Sequence, residues 1–259
     1  IGLEMAIQLF HPEGQPTGWN LQSMWIAKRM REIYGYEDMP ITSCYEFDYR
    51  STAPGALSLK QQADWYARDV LHCLAYRMPN INVALIMDCN SSYYSSRWGA
   101  TGVCFRAPDM LPKPSYVALS TLTRELDQAE YLRWLDTGST GLYCLEFKRK
   151  DGFVYALWAT RGQRKVEIRF ARDDGQYRIC DLMGRNADGS VRNGTASLTA
   201  SESPGFLSSS VQLASISAAA LSAPDKIPSD AVILDKLDNP DGWKLIEEGD
   251  SAFQNYCAY

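Results

Sequence analysis

Histidine is scarce: 259 residues hold two. None of the seven cysteines stands in a C-x-x-C pair, so the chain lacks the ligand set of a zinc site, and neither a metal nor a cofactor is expected. Basic excess is also missing. A net charge of −5 excludes a broad nucleic-acid surface, which needs a concentrated positive patch, and the short cluster Lys148–Lys150 reads as the solvated edge of a hairpin turn. No apolar run reaches the length of a membrane span. Ile1–Phe10 has no basic leader or cleavage site, and there is no initiator methionine, so a piece of a longer chain is expected. There is no internal repeat.

What remains is an ordinary globular composition, 46% apolar and 22% charged, long enough for two modest domains or pieces of larger ones. Aromatic residues are plentiful, with 7 Trp and 15 Tyr, a tilt that suits sugar faces and sandwich cores alike. The cysteines are scattered and odd in number, and most read as small buried apolar residues. Asn193-Gly194-Thr195 and Asn90-Ser91-Ser92 fit the glycosylation pattern, which has a high chance rate.

The first half alternates strand and helix. Leu3–Phe10 reads as a strand ending at His11-Pro12, and Leu21–Tyr34 as a helix stopped by Gly35. Pro40–Ser51 (P-I-T-S-C-Y-E-F-D-Y-R-S) reads as a buried strand that surfaces at Glu46. Ser58 and Gln61 form a capping box that opens a helix from Leu59 to about Arg77, with Ala63, Tyr66, Ala67, Val70 and Leu74 on its apolar face. Val83–Met87 is five apolar residues in a row, the pattern of a strand covered on both faces, and Pro114 starts a last helix at Ser115–Leu126. Each strand delivers polar residues at its C-terminal end: His11, Glu46, then Asp88 and Asn90. Such alternation predicts parallel βα units whose strand ends share one face.

After Leu126 the texture changes to short runs at Tyr131–Leu135, Leu142–Lys148, Phe153–Ala159, Lys165–Phe170 and Tyr177–Leu182, separated by turns, with one or two closing strands in Ala196–Leu207. That is the spacing of antiparallel hairpins in a sandwich. The uncharged Ser/Ala stretch Ser208–Ala223 reads as a linker, with a weak helix as the alternative for Val211–Leu221. The expected fold is therefore α/β plus all-β. A partial (β/α)8 barrel, three βα units over 1–127, is followed by an antiparallel β-sandwich over 128–208, a linker over 209–230 and the start of a further β-rich domain over 231–259.

At this point the residues resemble a known pattern. P-I-T-S-C-Y-E-F-D-Y-R-S resembles the strand-seven motif of clan-A retaining glycoside hydrolases, "P-I-x-x-T-E-x-G", in which the glutamate is the nucleophile. His11 resembles the end of strand six that borders the sugar site, Gln62-Ala63 the "Q-A" of the following helix, and Lys113-Pro114-Ser115-Tyr116 the "K-P-x-Y" that opens the eighth helix. Phe153–Thr160 resembles the first hairpins of the sandwich that follows many such barrels. The likeness covers about Leu3–Leu207. The chain departs from the pattern at Tyr45 for threonine, at Asp48 for glycine, and at Met87-Asp88 where an aromatic platform is usual. The strand-four Asn-Glu pair that carries the acid/base has no counterpart, so the chain is expected to begin after it.

The resemblance implies a retaining glycosidase in which Glu46 attacks the anomeric carbon while a second carboxyl roughly 5–5.5 Å away protonates the leaving oxygen. Glu46 must stay ionised, which calls for donors such as Tyr45, Tyr93 or Asn90 and the charge of Arg50. His11 is placed on a sugar hydroxyl and Tyr94 or Trp98 on a ring face; the partner is an oligosaccharide or polysaccharide, and export to the periplasm or outside is implied by likeness alone. Without the acid segment, the isolated chain is expected to be inactive. Blander readings stand beside these: His11 bonding a carbonyl before Pro12, Asp88 capping a loop, Trp98 as lid core, Tyr45 packing the mouth. Two other functions compete, a non-catalytic carbohydrate-binding or scaffolding protein derived from the same fold, and a cysteine hydrolase using Cys44 and His11, for which no third orienting residue is evident.

Overall fold

The computed structural model describes residues 3–5, 12–13, 19–43, 49–52, 56–78, 80–83, 85–96, 99–173 and 175–219. The chain divides into two compact units, 1–219 and 220–259. The second lies outside the described residues, and with it the expected β-rich start at 231–259.

The first strands are short and parallel. β1 (Leu3–Met5) pairs with β2 (Ile41–Ser43) through Leu3↔Ile41 and Met5↔Ser43, with helix α1 (Trp19–Tyr34) in the connection. This is the parallel pairing that a βα alternation predicts, because parallel neighbours need a crossover. Helix α1 ends as its sequence dictates. Gly35 takes φ +71°, and the Tyr36 amide donates back to the Arg31 carbonyl at 2.8 Å, closing the carbonyl-capping turn that a left-handed glycine permits. Helix α2 (Leu59–Ala75) carries the expected capping box, with Ser58 Oγ accepting from the Gln61 amide and Gln61 Oε1 accepting from the Ser58 amide. Helix α3 (Pro114–Glu125) starts with proline in its first turn.

Val83–Met87 is a correction. Among the described residues it forms no strand; Met87 makes one parallel bridge to Cys104. Leu85 sits at φ +48°, which breaks an extended chain, and Leu85 and Ile86 are exposed by 39% and 72%. An apolar run was read as double burial, but the backbone turns within it. No barrel closure is seen among the described residues.

From Glu130 onward the chain forms two antiparallel sheets. One has six strands in the order β3 (Glu130–Trp134), β4 (Leu142–Arg149), β5 (Gly152–Ala159), β10 (Gly205–Ser209), β7 (Gln176–Cys180) and β8 (Asn186–Ser190). The other has three, β11 (Leu213–Ala218), β6 (Gln163–Phe170) and β9 (Thr195–Ser201). The five predicted runs appear as β3 to β7, and Ala196–Leu207 supplies β9 and β10. β8 went unread because N-A-D-G-S has no apolar period; it is an edge strand held by pairing to β7. Its Gly189 lies under the Tyr177 ring, where an added Cβ would come within 2.3 Å of Cζ.

The stretch read as a linker from 209 contains β11, Leu213–Ala218. The register slips between Leu213 and Ser215, so Leu213 and Ile216 both turn inward although three positions apart. That bulge hides the two-residue period by which a strand is recognised.

Strand β5 shows how the layers join. Val154, Ala156 and Trp158 share one apolar core with Ala63, Tyr66, Ala67, Val70 and Leu71 of α2 and with Ala118 and Leu122 of α3. Tyr155 and Leu157, on the opposite face, share a second core with Val166, Ile168 and Phe170 of β6. The central sheet is thus covered by helices on one side and the small sheet on the other, which is why β5 reads as unbroken hydrophobicity.

Candidate functional site

Of the sequence-predicted site residues, His11, Tyr45, Glu46 and Trp98 lie outside the described residues, as do Cys44 and Asp48. Asn90 and Tyr94 are described, together with residues 49–52, and the structure brings Thr52 to the loop carrying Tyr94.

Tyr49, three residues beyond Glu46, is buried, with its ring edge-on to Trp65 and Tyr66 and its hydroxyl donating to the Asp69 carboxylate. Burial, and then the charge and hydrogen bond of Asp69, push the Tyr49 phenol well above its usual pKa. Its carbonyl accepts from Gln62 Nε2 at 2.7 Å, and Gln62 Oε1 accepts from Ser115 Oγ at 3.1 Å. Next, the Ser51 amide donates to the Ala100 carbonyl at 2.9 Å, and Ser51 Oγ accepts from Lys113 Nζ at 3.1 Å. The "Q-A" and "K-P-x-Y" residues therefore share one task here: they clamp the chain that emerges after Glu46.

Lys113 is wholly buried. Its ammonium also donates to Asp88 Oδ1 at 2.7 Å and lies 5.6 Å from the centre of the Phe105 ring. Burial lowers its pKa, against the pull of the Asp88 hydrogen bond and charge. Asp88 Oδ1 accepts the Gly102 amide at 3.0 Å as well. Asp88 thus acts as a buried counter-ion that fixes the 88–113 loops.

Thr52, at φ +67°, places its hydroxyl 2.6 Å from the Tyr94 hydroxyl. The Arg106 guanidinium sits 4.1 Å over the Tyr94 ring and donates to the Cys89 and Asn90 carbonyls, each at 2.9 Å. One face of Tyr94 is therefore occupied by a cation, while Asn90 and Tyr93 are exposed. Of the five described cysteines four are buried, Cys73, Cys104, Cys144 and Cys180. Burial pushes the Cys144 thiol far up, as suits inert packing. Among the described residues no group of three His, Cys, Asp or Glu side chains is disposed to hold a metal, and no helix is long and apolar enough to cross a membrane.

Sequence reasoning missed a second cluster. Glu13 is buried and accepts from Arg68 Nε at 2.8 Å, from a second Arg68 nitrogen, and from Trp158 Nε1 at 2.7 Å, with His72 Nε2 at 3.4 Å. The His72 ring stacks on Trp134 at 5.5 Å and meets Tyr143 and Trp158 edge-on. The signal in the sequence is Asp64, Arg68 and His72 at four-residue spacing, a polar stripe along one side of α2. The sandwich covers that stripe.

No family model matches the chain, and no curated protein matches it in sequence. Solved structures do match its fold. A family 39 glycoside hydrolase from the gut symbiont Bacteroides cellulosilyticus superposes with a TM-score of 0.64 at 18% identity, over 80% of this chain and 44% of that one. A glucosidase from Croceicoccus marinus gives a TM-score of 0.50 at 11% identity, over 80% of this chain and 53% of that one. The chain spans about half the length of these structures. Its fold, helices followed by two antiparallel sheets, is similar to that of glycoside hydrolases over most of its length.

Proposed function

We propose that this chain carries the nucleophile side of a retaining glycoside-hydrolase site, in the last three βα units of a (β/α)8 barrel, with Glu46 as the attacking carboxylate. The observation that carries the reading is the fold likeness to a family 39 glycoside hydrolase over 80% of the chain. The clamp of Gln62, Lys113 and Ser115 on the segment directly after Glu46 supports it. Tyr94, held at Thr52, lies on the loop that would meet the sugar, with Asn90, while His11, Tyr45 and Trp98 complete the proposed sugar contacts.

In the reaction, the Glu46 carboxylate forms a bond to the anomeric carbon as the bond to the leaving oxygen breaks. A second carboxyl protonates that oxygen, and water then releases the sugar with its configuration retained. The second carboxyl is not assigned to a residue of this chain, and the isolated chain is expected to show no turnover.

The test exploits that division. From a dinitrophenyl 2-deoxy-2-fluoro-glycoside the dinitrophenolate leaves without protonation, so a competent nucleophile keeps the fluoro-sugar as an ester whatever supplies the acid. The full-length protein is incubated with the xyloside, glucoside and galactoside, and its peptides are mapped by mass spectrometry. A glycosyl adduct on Glu46, lost in Glu46→Gln, is expected. No adduct, or one that persists in Glu46→Gln, refutes the assignment. Oligosaccharide binding without any adduct assigns the non-catalytic binding role instead.

A further inference from the structure

The Glu13 cluster joins parts of the chain far apart in sequence, and the proposed chemistry does not use it. Glu13 belongs to the turn at Pro12-Glu13, directly after His11. Its carboxylate is fully buried, which is costly without compensation. Compensation comes from two directions. Arg68 of α2 donates twice, and Trp158 of β5 donates once across 2.7 Å. His72, as its Nε2–H tautomer, is a fourth donor at 3.4 Å, and its Nδ1 has no hydrogen-bond partner among the described residues. A carboxylate accepts about four such bonds, so these donors offset much of the cost of its burial. The indole that donates is itself immobilised, stacked on Tyr143 at 5.2 Å and buried between the helices and the sheet.

We propose that Glu13 is a positioning residue through which the β-sandwich fixes the turn that follows His11, so that the sandwich is part of the sugar site's framework rather than an appended module. This rests on the reading of His11 as a sugar contact. The three donor side chains act on the turn through Glu13. A neutral glutamine at 13 keeps the size but gives up one acceptor oxygen for an N–H that faces the Arg68 donors. Phenylalanine at 158 keeps most of the apolar body and deletes the single N–H.

Two variants of the full-length protein, Glu13→Gln and Trp158→Phe, test the proposal by hydrogen exchange, by ¹⁵N shifts of the two histidine imidazoles and by oligosaccharide titration. In Trp158→Phe, amides of the segment around Pro12-Glu13 are expected to exchange about tenfold faster, equivalent to 1.4 kcal/mol, while those of α3 and β6 keep their protection. The His11 resonance moves and the oligosaccharide Kd rises about tenfold. Glu13→Gln changes the same quantities in the same direction. Unchanged exchange at the turn in both variants overturns the proposal, as does a uniform loss of protection across residues 1–219, which would make Glu13 a core element only. If wild-type protein neither binds sugar nor forms the Glu46 adduct, the glycosidase reading fails, while the exchange and histidine signals still decide the role of Glu13.

Discussion

Lys113→Met removes one ammonium and keeps the length of the side chain. Its consequence follows from what stays behind. Asp88 is as buried as Lys113, and without the ammonium its carboxylate retains only the Gly102 amide at 3.0 Å and the Thr52 hydroxyl at 3.5 Å. Ser51 Oγ also loses the donor that ties it to the clamp. Breaking one partner out of a buried ion pair costs about 3–5 kcal/mol, because an uncompensated charge remains. For a unit of 219 residues, each kcal/mol shifts Tm by roughly 2–4 °C, so a fall of about 6–20 °C is expected by calorimetry at pH 7. Asp88→Asn in the same background removes the stranded charge and keeps an acceptor for the Gly102 amide, so the double variant recovers most of the loss and the coupling energy is at least about 2 kcal/mol. The folded state binds the Lys113 proton less tightly than the unfolded chain. This group's contribution to stability therefore rises with pH between its depressed pKa and the ordinary lysine value of about 10.4, a rise absent from Lys113→Met. A loss below about 1 kcal/mol, or strict additivity in the double variant, refutes the view of this pair as the clamp of the 88–113 loops.

Two further outcomes concern stability. Ser58→Ala deletes the side-chain half of the α2 capping box and is expected to cost about 1 kcal/mol, read as a fall of roughly 2–4 °C in Tm, with the labelling of Glu46 unchanged. Tyr143 and Tyr131 are pushed up to about 12 by burial, and Tyr49 is raised by burial and Asp69. The folded state then holds these protons more tightly than the unfolded chain. The stability they contribute is complete below pH of about 10 and is lost as pH rises towards 12. Absorbance at 295 nm should show Tyr49, Tyr131 and Tyr143 ionising only with unfolding; Phe variants at these three positions that leave the high-pH step unchanged contradict the burial of these rings.

Much of the fold is local and was legible for that reason. Gly35 ends α1 and Ser58 with Gln61 starts α2 because capping depends on residues a few positions apart. The hairpin β4–β5 and the strands β6 and β7 announce themselves by period and turns. Gln62, Lys113 and Ser115 are visible as motif residues in the sequence, and the structure supplies their common task, a shared grip on residues 49–51. What local pattern does not carry is which face becomes covered. Val83–Met87 has the composition of a buried strand, yet the backbone turns at Leu85 and exposes its neighbour. Leu213–Ala218 has the composition of a linker, yet a bulge turns two apolar side chains inward and pairing to β6 makes it a strand. The polar stripe Asp64, Arg68 and His72 of α2 is buried because the sandwich covers it. Arg68 and His72 then meet Glu13, 55 and 59 residues away, and Trp158, 145 residues from Glu13. Sequence alone settled where α1 ends and α2 begins, since capping geometry acts within a few bonds. Only the tertiary structure decided which polar groups lose water and must find partners, because that is set by what arrives on the other side.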